Sequence, residues 1–597
     1  IEANSQRFHI NDSVTDIMKD LLGLNEASMN KESVEGKTLD ELSAAELKKI
    51  DKLLGALLHE FNNYEKVKVG VKKRQAADIG HSQNDISLEH ADAIGEGKDY
   101  QTPFLQSIDR IINLDMMTPA YLFRKIDPNN EGLGLMWKEI RRSFDKYVEN
   151  TNQLNEWIEE IVGKYHEKGI LWNKYGAGEL SDWRSAKFAT TFNLTHGTIQ
   201  LTTAQMMSVA CLANRQQAYD HMVGAGVVVA PVSFQAKITS DIKKKINKSV
   251  SLKLTDADIK TIVAALTPEQ RQVANKLQEL MATKMAAWGN EASMNVLGIR
   301  LFEDPNYFPI RSDKAGLTKD LDPNQFEQAI RIFGFAKAVQ PGARNAIMID
   351  DIFDVVTEHC NNMNLYNSYT EAMNDFMKVY NYREVREEGE YTVEQALRHA
   401  FSDKTPMFIM QFMRDLNGNV SGRASGIESM YNALLANAKK ASVFANFRVA
   451  AQQPTAISRA FYVIDEKYIK GIKVDKDAMT EMFEHCPIAL WKSWGYYDIN
   501  MGKSIEDVIM NNGKWIEDKA TDLYGKLDNV TWTAIWQMVK AETKDLHPEL
   551  TEGSDEYWEH CNERMSEIVD LTQVVDSPMH RSHAMRDKGF FQKMTTA

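Results

Sequence analysis

Residues 132–167 read GLGLMWKEIRRSFDKYVENTNQLNEWIEEIVGKYHE, and this stretch sets the expected architecture of the chain. Large apolar side chains recur in it at intervals close to three and four residues, at Leu135, Trp137, Ile140, Phe144, Val148, Leu154, Trp157, Ile158 and Ile161. Such spacing places an apolar stripe along one face of an α-helix. The stretch therefore predicts one amphipathic helix of about ten turns, or two helices in line.

Helix start signals recur along the rest of the chain. Threonine can cap a helix, and the proline that follows it suits the first helical position. Threonine three residues before Gln, Asp or Glu has the spacing of a capping box. The Thr-Pro pairs are Thr118-Pro119, Thr267-Pro268 and Thr405-Pro406, and the capping boxes begin at Thr38, Thr202 and Thr255. We predict an all-α fold with several helical bundles in series.

One region, near residues 190–235, departs from the helical pattern. Residues 192–201 alternate apolar and polar side chains around a turn at Gly197, which is typical of a β-hairpin. Residues 227–234 are rich in β-branched side chains, and we expect them to pair with that hairpin. The sequence therefore predicts a minor β element within the helical fold.

Changes in composition divide the 597 residues into four parts. Residues 1–68 are predicted to be an N-terminal helical segment. Residues 69–102 are polar and almost without large apolar side chains, which indicates a linker or an extended wrap over another surface. Residues 103–345 are predicted to form a helical domain with the small β element, and residues 346–597 a C-terminal helical domain.

Composition narrows the classes of function. The net charge of −14 argues against a protein that coats nucleic acid, because such a protein needs a basic surface. The four cysteines contain no Cys-x-x-Cys pair, as expected for free thiols in a reducing cytoplasm. The sequence has neither a Gly-x-x-x-x-Gly-Lys-Ser/Thr phosphate loop nor a Gly-x-Ser-x-Gly nucleophile elbow. We therefore predict no catalytic residues and no cofactor.

Three Glu-His-Cys sequences are candidate metal sites, because His and Cys are the usual ligands of zinc. Neighbours on a helix point about 100° apart, so a zinc site would need pairs from several helices to converge. The alternative is a helix with an exposed Glu, a boundary His and a buried Cys. The candidate ligands are His359 with Cys360, His485 with Cys486, and His560 with Cys561.

Two further groups have ligand-like spacing. Asp350, Asp351 and Asp354 lie close enough to hold Mg²⁺, although such clusters are commonly solvated helix caps. His580 and His583 have the i, i+3 spacing of metal ligands on a helix, although no matched Cys or Glu lies near them.

Basic clusters are candidate contacts for DNA or a membrane, with solvated helix faces as the alternative. The clusters are Lys243, Lys244, Lys245 and Lys248, and Arg581, Arg586 and Lys588.

Four stretches resemble tailed-phage internal virion proteins and the large polyvalent proteins of phages and mobile elements. The first is Tyr307-Phe308-Pro309-Ile310-Arg311, and the second joins the helix start at 201–207 to residues 217–226. The third is 447–461 and the fourth is 574–594. Together they extend over residues 190–597. The resemblance implies a long, mostly helical protein that is packaged in a virion and acts structurally in genome ejection.

This resemblance leads to a functional prediction. We expect a structural, non-catalytic module of a phage-encoded virion or ejection-associated protein, made in the bacterial host cytoplasm and carried in the virion. Its expected partners are other virion proteins or further copies of itself, and also phage DNA. The alternatives are a metal-binding enzyme module that uses the Glu-His-Cys sites and a DNA-binding module that uses the basic clusters.

Both ends of the sequence suggest a piece of a longer polypeptide. The chain starts at Ile1, and its last residues combine a helix start with a basic, apolar stretch. We expect this end to be a junction that leads to a membrane-active tail.

Overall fold

A computed structural model describes residues 75–90, 117–165, 179–229, 252–298, 300–310, 346–386, 389–401, 404–416, 457–493, 515–572 and 579–580. Helices account for 73% of the interpretable residues, and the strands form small two-stranded sheets, so the predicted all-α class is confirmed. The chain divides into two compact units, residues 1–81 and 82–597, and all contacts described below lie within the second. None of the described helices has the length and apolar content needed to cross a membrane.

The first half of the described chain alternates long and short helices with one strand pair and a single further strand. Helix α1 covers residues 75–90. It is followed by α2 (Pro119–Ile126), α3 (Leu133–Val162), α4 (Glu179–Arg184), β1 (Thr190–Leu194), β2 (Gly197–Leu201), α5 (Thr203–Asn214), α6 (Gln216–Gly224), β3 (Val227–Val229), α7 (Asp256–Ala264), α8 (Pro268–Leu280) and α9 (Ala286–Leu297). A π-helical turn, Met281–Met285, joins α8 to α9.

The second half is built around another long helix. Its elements are β4 (Ile347–Ile349), α10 (Ile352–Tyr380), β5 (Arg383–Arg386), β6 (Gly389–Thr392), α11 (Val393–Ala400), α12 (Lys404–Leu416), α13 (Ile457–Ala460), α14 (Lys476–His485), α15 (Pro487–Ser493), α16 (Trp515–Leu546) and α17 (Asp555–Thr572).

Helix α3 confirms the prediction of a long amphipathic helix, as one continuous helix of 30 residues. Of its predicted apolar stripe, Trp137, Ile140, Phe144, Val148, Leu154 and Ile158 are buried. Trp157 and Ile161 are partly buried, and Leu135 is exposed, with 37% of its surface accessible. The stripe packs along α10, which has 29 residues and buries side chains around most of its circumference. These two helices therefore form the centre of the described fold.

Four of the six helix starts predicted from capping signals are confirmed. Thr118 caps α2 ahead of Pro119, and Thr267 caps α8 ahead of its own proline. Capping boxes are present at the starts of α5 and α7, as predicted from Thr202 and Thr255. The prediction at Thr405 is wrong, because α12 begins earlier, at Lys404. The predicted cap at Thr38 lies outside the described residues.

The β-hairpin is confirmed, but the strand predicted to join it is not. Strands β1 and β2 pair antiparallel, with Phe192 opposite Ile199. Strand β3 instead pairs in parallel with β4, Val227 lying opposite Ile347. A continuous apolar run such as that of β3 suits a strand buried on both faces, whereas the hairpin exposes one face to solvent. The remainder of the predicted strand, residues 230–234, is outside the described part.

The hydrophobic core crosses one of the boundaries predicted from composition. One continuous core joins Leu154 of α3 to Ile347 and Tyr366, so it crosses residue 345, where the sequence pattern indicates a domain boundary. Residues 75–90 are helical, although the range 69–102 is polar enough to suggest an extended linker.

Polar residues of α1 can be buried because backbone groups of two other helices form hydrogen bonds with them. Gln83 is buried; its amide nitrogen donates to the carbonyl of Ile126 at 3.1 Å, and its oxygen accepts from the Leu133 amide at 2.9 Å. These two residues are the last of α2 and the first of α3. Gln83 therefore closes two helix ends that would otherwise lack partners.

Candidate functional site

The three Glu-His-Cys sequences have the side-chain arrangement of ordinary helices. Glu358, Glu484 and Glu559 are exposed, whereas Cys360, Cys486 and Cys561 are buried. His485 and His560 are partly exposed, but His359 is buried. Successive residues on a helix point in different directions, so the Cys faces the core while the Glu two residues earlier faces solvent.

Each histidine of these sequences lies against another ring. His359 is 5.1 Å from the ring of Tyr307, and His485 stacks on Trp558 at 4.0 Å. His560 lies 4.3 Å from His547. Burial lowers the pKa of His359 to about 4, so this ring is neutral at pH 7. Among the described residues, no group of three or more His, Cys, Asp or Glu side chains is arranged to hold a metal ion.

The aspartates at the start of α10 bind an arginine. Asp351 caps the helix by accepting from the Phe353 amide at 2.8 Å. The guanidinium of Arg184, from α4, lies 2.8 Å from Asp351 and 2.7 Å from Asp354. Arg184 and Asp351 each expose only 4% of their side chains. Burial raises the pKa of Asp351, and the charge of Arg184 opposes that shift. The cation that neutralises these carboxylates is therefore a side chain of the protein.

The stretch that begins at Tyr307 lies against the connection between α5 and α6. Arg215, between α5 and α6, pairs with Asp304 at 2.8 Å and donates to the carbonyl of Phe308 at 2.9 Å. Its guanidinium lies 5.0 Å from the ring centre of Tyr307, the distance of a cation–π contact. Burial raises the pKa of Tyr307 to about 12, so its hydroxyl is neutral. These contacts hold the stretch that begins at Tyr307 against the connection between two helices.

A buried polar network joins the two central helices. We call it the polar seam, and it consists of Tyr147, Asn150 and Thr151 of α3 with Asn361, Asn364, Asn367 and Ser368 of α10. At its centre, the Asn364 amide donates to the carbonyl of Tyr147 at 3.0 Å and to the hydroxyl of Thr151 at 2.9 Å. Its oxygen accepts from Asn150 at 3.0 Å and from Ser368 at 3.0 Å.

The polar seam extends to a third helix. The amide of Asn367 donates to the carbonyl of Trp288 at 2.9 Å and to the carboxylate of Glu291 at 3.0 Å, both in α9. Glu291 also pairs with Lys146 of α3 at 2.9 Å. Three helices are therefore held in register by hydrogen bonds that only one alignment can satisfy.

A second cluster of charge joins α3 to α17. It consists of Arg141 of α3, Asp570 of α17, and His580. Arg141 and His580 each approach Asp570 to 2.7 Å, through different carboxylate oxygens. Burial opposes ionisation of Asp570, but the charge of Arg141 and the hydrogen bond with His580 outweigh burial and hold the pKa of this carboxyl well below its usual range.

The predicted DNA or membrane contacts fall in the part of the chain that the structure does not describe. Lys243, Lys244, Lys245, Lys248, Arg581, Arg586 and Lys588 all lie outside the described residues, as does His583. The stretch 447–461 and most of 574–594 lie outside them too, apart from residues 457–461 and 579–580.

The sequence contained a signal for the polar seam that motif searching does not detect. Asn361, Asn364, Asn367 and Ser368 recur at helical spacing within an otherwise buried helix. Polar residues in this pattern mark a polar stripe on a core helix. Comparison of the chain with family models, curated proteins and solved structures found no match.

Proposed function

We propose that this chain is a structural, non-catalytic module of a phage-encoded virion or ejection-associated protein. It would be made in the bacterial host and carried in the virion, in contact with other virion proteins or with further copies of itself. The resemblance of residues 190–597 to internal virion proteins supports this role. The single structural observation that carries it furthest is the polar seam between α3 and α10.

The polar seam suits a body whose helices must separate and re-form. An apolar interface loses its whole stabilisation when water enters, because burial of apolar surface is what holds it together. Amides and hydroxyls exchange partners with water instead, so the net contribution of each hydrogen bond is only about 1 kcal/mol. A polar seam therefore fixes the register of the closed helices while limiting the cost of parting them. Passage of a helical protein through a narrow tail requires that combination.

The second and third predicted functions gain no support from the described residues. The Glu-His-Cys cysteines are buried at separate places in the fold, two within helices and Cys486 directly after one, and the basic clusters lie outside the described part. We therefore propose neither a metal-binding enzyme nor a DNA-binding module.

Fractionation of virions tests the proposal. An antibody raised against the purified chain is used on particles from the host that produces the encoding phage. We expect the chain in DNA-filled particles at constant copy number, and a reduced amount in particles that have released their DNA. Detection only among unassembled lysate proteins would refute a virion role. Equal amounts before and after DNA release would refute the ejection role while preserving a structural one.

A further inference from the structure

The outer edge of β1 carries backbone groups that point away from the rest of the hairpin. A two-residue turn joins β1 to β2, so Leu194 and Gly197 form the closing hydrogen-bonded pair. Hydrogen-bonded pairs alternate with open pairs along an antiparallel ladder, and the N–H and C=O groups of Thr191 and Asn193 therefore point away from β2. Among the described residues, no backbone hydrogen bond from another element reaches these groups.

This edge is exposed, and the hairpin behind it is held firmly. Thr191 and Asn193 are exposed, whereas Phe192 between them is buried in the core. The carboxylate of Asp258 accepts hydrogen bonds from both the N–H and the hydroxyl of Thr195 at 3.0 Å, which fixes the turn to α7. A strand that is already ordered has little conformational entropy to lose when another strand pairs with it.

The two edges of the hairpin differ in how much chain lies open beside them. Strand β2 runs directly into Leu201 and Thr202, which are buried. At its other end, the side chain of Leu252 lies 2.9 Å from the position that a Cβ on Gly197 would occupy. Strand β1 instead follows a short helical turn with no buried residue, in which Phe188 exposes 50% of its surface. The β1 edge therefore offers the longer accessible stretch.

The strands of this hairpin carry no charged side chain. They read TTFNL and GTIQL, in a chain whose net charge is −14. Natural sheet edges are commonly protected from pairing by charged side chains. The hairpin of β5 and β6 follows that rule, because β5 reads REVR and its Arg386 pairs with Glu384 and with Asp85 of α1. Two copies of this acidic chain can approach each other along β1 without opposing like charges at the contact.

We propose that two copies of this chain associate through β1, which pairs antiparallel with β1 of the second copy about a two-fold axis. An antiparallel edge is self-complementary under such an axis. Thr191 lies opposite Asn193 of the second copy, and the two residues exchange two backbone hydrogen bonds. The axis repeats this pair, so four backbone hydrogen bonds join the two hairpins into one four-stranded sheet.

This inference specifies the contact with further copies that the proposed function includes, and the two can fail separately. A chain that is monomeric in solution would overturn the interface, whereas absence of the chain from virions would overturn the virion role. An interface made mainly of one strand pair is small, so we expect a dimer that dissociates on dilution.

Sedimentation velocity of the full chain tests the interface. Between roughly 1 and 200 µM, where weak complexes dissociate, we expect the mass to rise from that of one chain towards that of two. Thr191→Pro removes one outward N–H from each copy, and thus two of the four bonds, while the hydrogen bonds within the hairpin remain. Each bond contributes about a factor of five, so this variant should dimerise at least about thirtyfold more weakly.

The opposite edge of the hairpin provides a matched control. Gln200 lies directly opposite Thr191, and its N–H points outward from β2. Its side chain is exposed, as that of Thr191 is. Gln200→Pro therefore makes the same change on the same rung of the hairpin, and it should leave the dimer intact.

Charged substitutions at the same exposed position test the two-fold pairing. In the proposed dimer the two Thr191 side chains are diagonal neighbours on one face of the sheet, about 7–8 Å apart. Thr191→Lys and Thr191→Glu should each weaken self-association, because they bring like charges together. An equimolar mixture of these two variants should associate more tightly than either variant alone.

A chain that stays monomeric over the whole concentration range would overturn the proposal. So would a dimer that survives Thr191→Pro, or one that Gln200→Pro weakens as strongly. Growth beyond two copies would overturn the two-fold pairing, since it requires β1 to meet a different edge. Thermal unfolding shows whether each variant is folded. If Thr191→Pro is not folded, the charged variants decide alone, and a mixture no tighter than its components overturns the interface.

Discussion

Replacement of Asn364 by alanine should open the polar seam. The asparagine exposes 1% of its surface and makes four hydrogen bonds there, two as donor and two as acceptor. Some partners keep other bonds; Thr151, for example, still donates to the carbonyl of Tyr147 at 2.7 Å. Each hydrogen bond that is lost removes about 1 kcal/mol, and some buried polar groups are left without a partner. We therefore expect the free energy of local opening to fall by about 3 kcal/mol.

Hydrogen exchange measured by mass spectrometry is the appropriate assay, because a chain of this length need not unfold in one step. Exchange reports the free energy of local opening of each helix. A cost of about 3 kcal/mol corresponds to roughly a hundredfold faster exchange in peptides from α3 and α10. Peptides from α16, which makes no contact with the polar seam residues among the bonds described, should change much less.

A matched control and a double variant complete the test. Asn152 lies on the same helix as Asn150, and among the described contacts its side chain donates to Glu156 near solvent, so the effect of Asn152→Ala should stay within about 0.5 kcal/mol. Asn150→Ala combined with Asn364→Ala should accelerate exchange about fivefold less than the product of the single variants, a coupling of about 1 kcal/mol. Equal effects of Asn152→Ala and Asn364→Ala would refute the energetic role of the polar seam.

Three further outcomes follow from the described contacts. Arg184→Met removes the cation that pairs with two carboxylates at the start of α10, and it should lower the free energy of unfolding by about 3 kcal/mol in a thermal unfolding measurement. Arg398→Met, at an exposed pair, should lower it by less than about 1 kcal/mol. Gly289→Ala brings a Cβ within 2.6 Å of a phenylalanine ring and should destabilise by about 1–3 kcal/mol, whereas Gly224→Ala, with nothing within 4 Å, should not. Burial raises the pKa of Asp258, but bonds from two threonines outweigh it and lower the pKa to about 2. The stability that ionised Asp258 gives to the fold is therefore lost as the pH falls from about 4 towards that value. The free energy of unfolding of Asp258→Asn, measured over the same acid range, should not show this loss.

Features fixed by nearby residues were predictable from the sequence. The apolar spacing of α3, its length and the caps at Thr202 and Thr267 depend on side chains within a few turns, where helical geometry leaves little choice. The hairpin around Gly197 belongs to the same class, since its two strands are adjacent in the chain.

Features that join distant segments were not predictable in this way. The parallel pairing of β3 with β4 depends on where two helices place Val227 and Ile347, and their own residues do not encode that. Likewise, Gln83 looks like a linker residue until the ends of α2 and α3 are brought beside it. Polar composition indicates a linker only where no backbone group needs a partner.

The most conspicuous sequence pattern and the most consequential structural one differ for a physical reason. Glu-His-Cys attracts notice because its residue types suit metals, yet consecutive residues on a helix cannot face one ion. Asn361, Asn364 and Asn367 carry no motif, but their spacing of three aligns them on one side of α10. Burying amides is unfavourable unless each finds a partner, so such a row requires a complementary row on another helix. In a long helical chain with few charges in its core, rows of asparagine, serine and threonine therefore indicate which helices pair. They also mark the interface at which water can replace the partner when the helices separate.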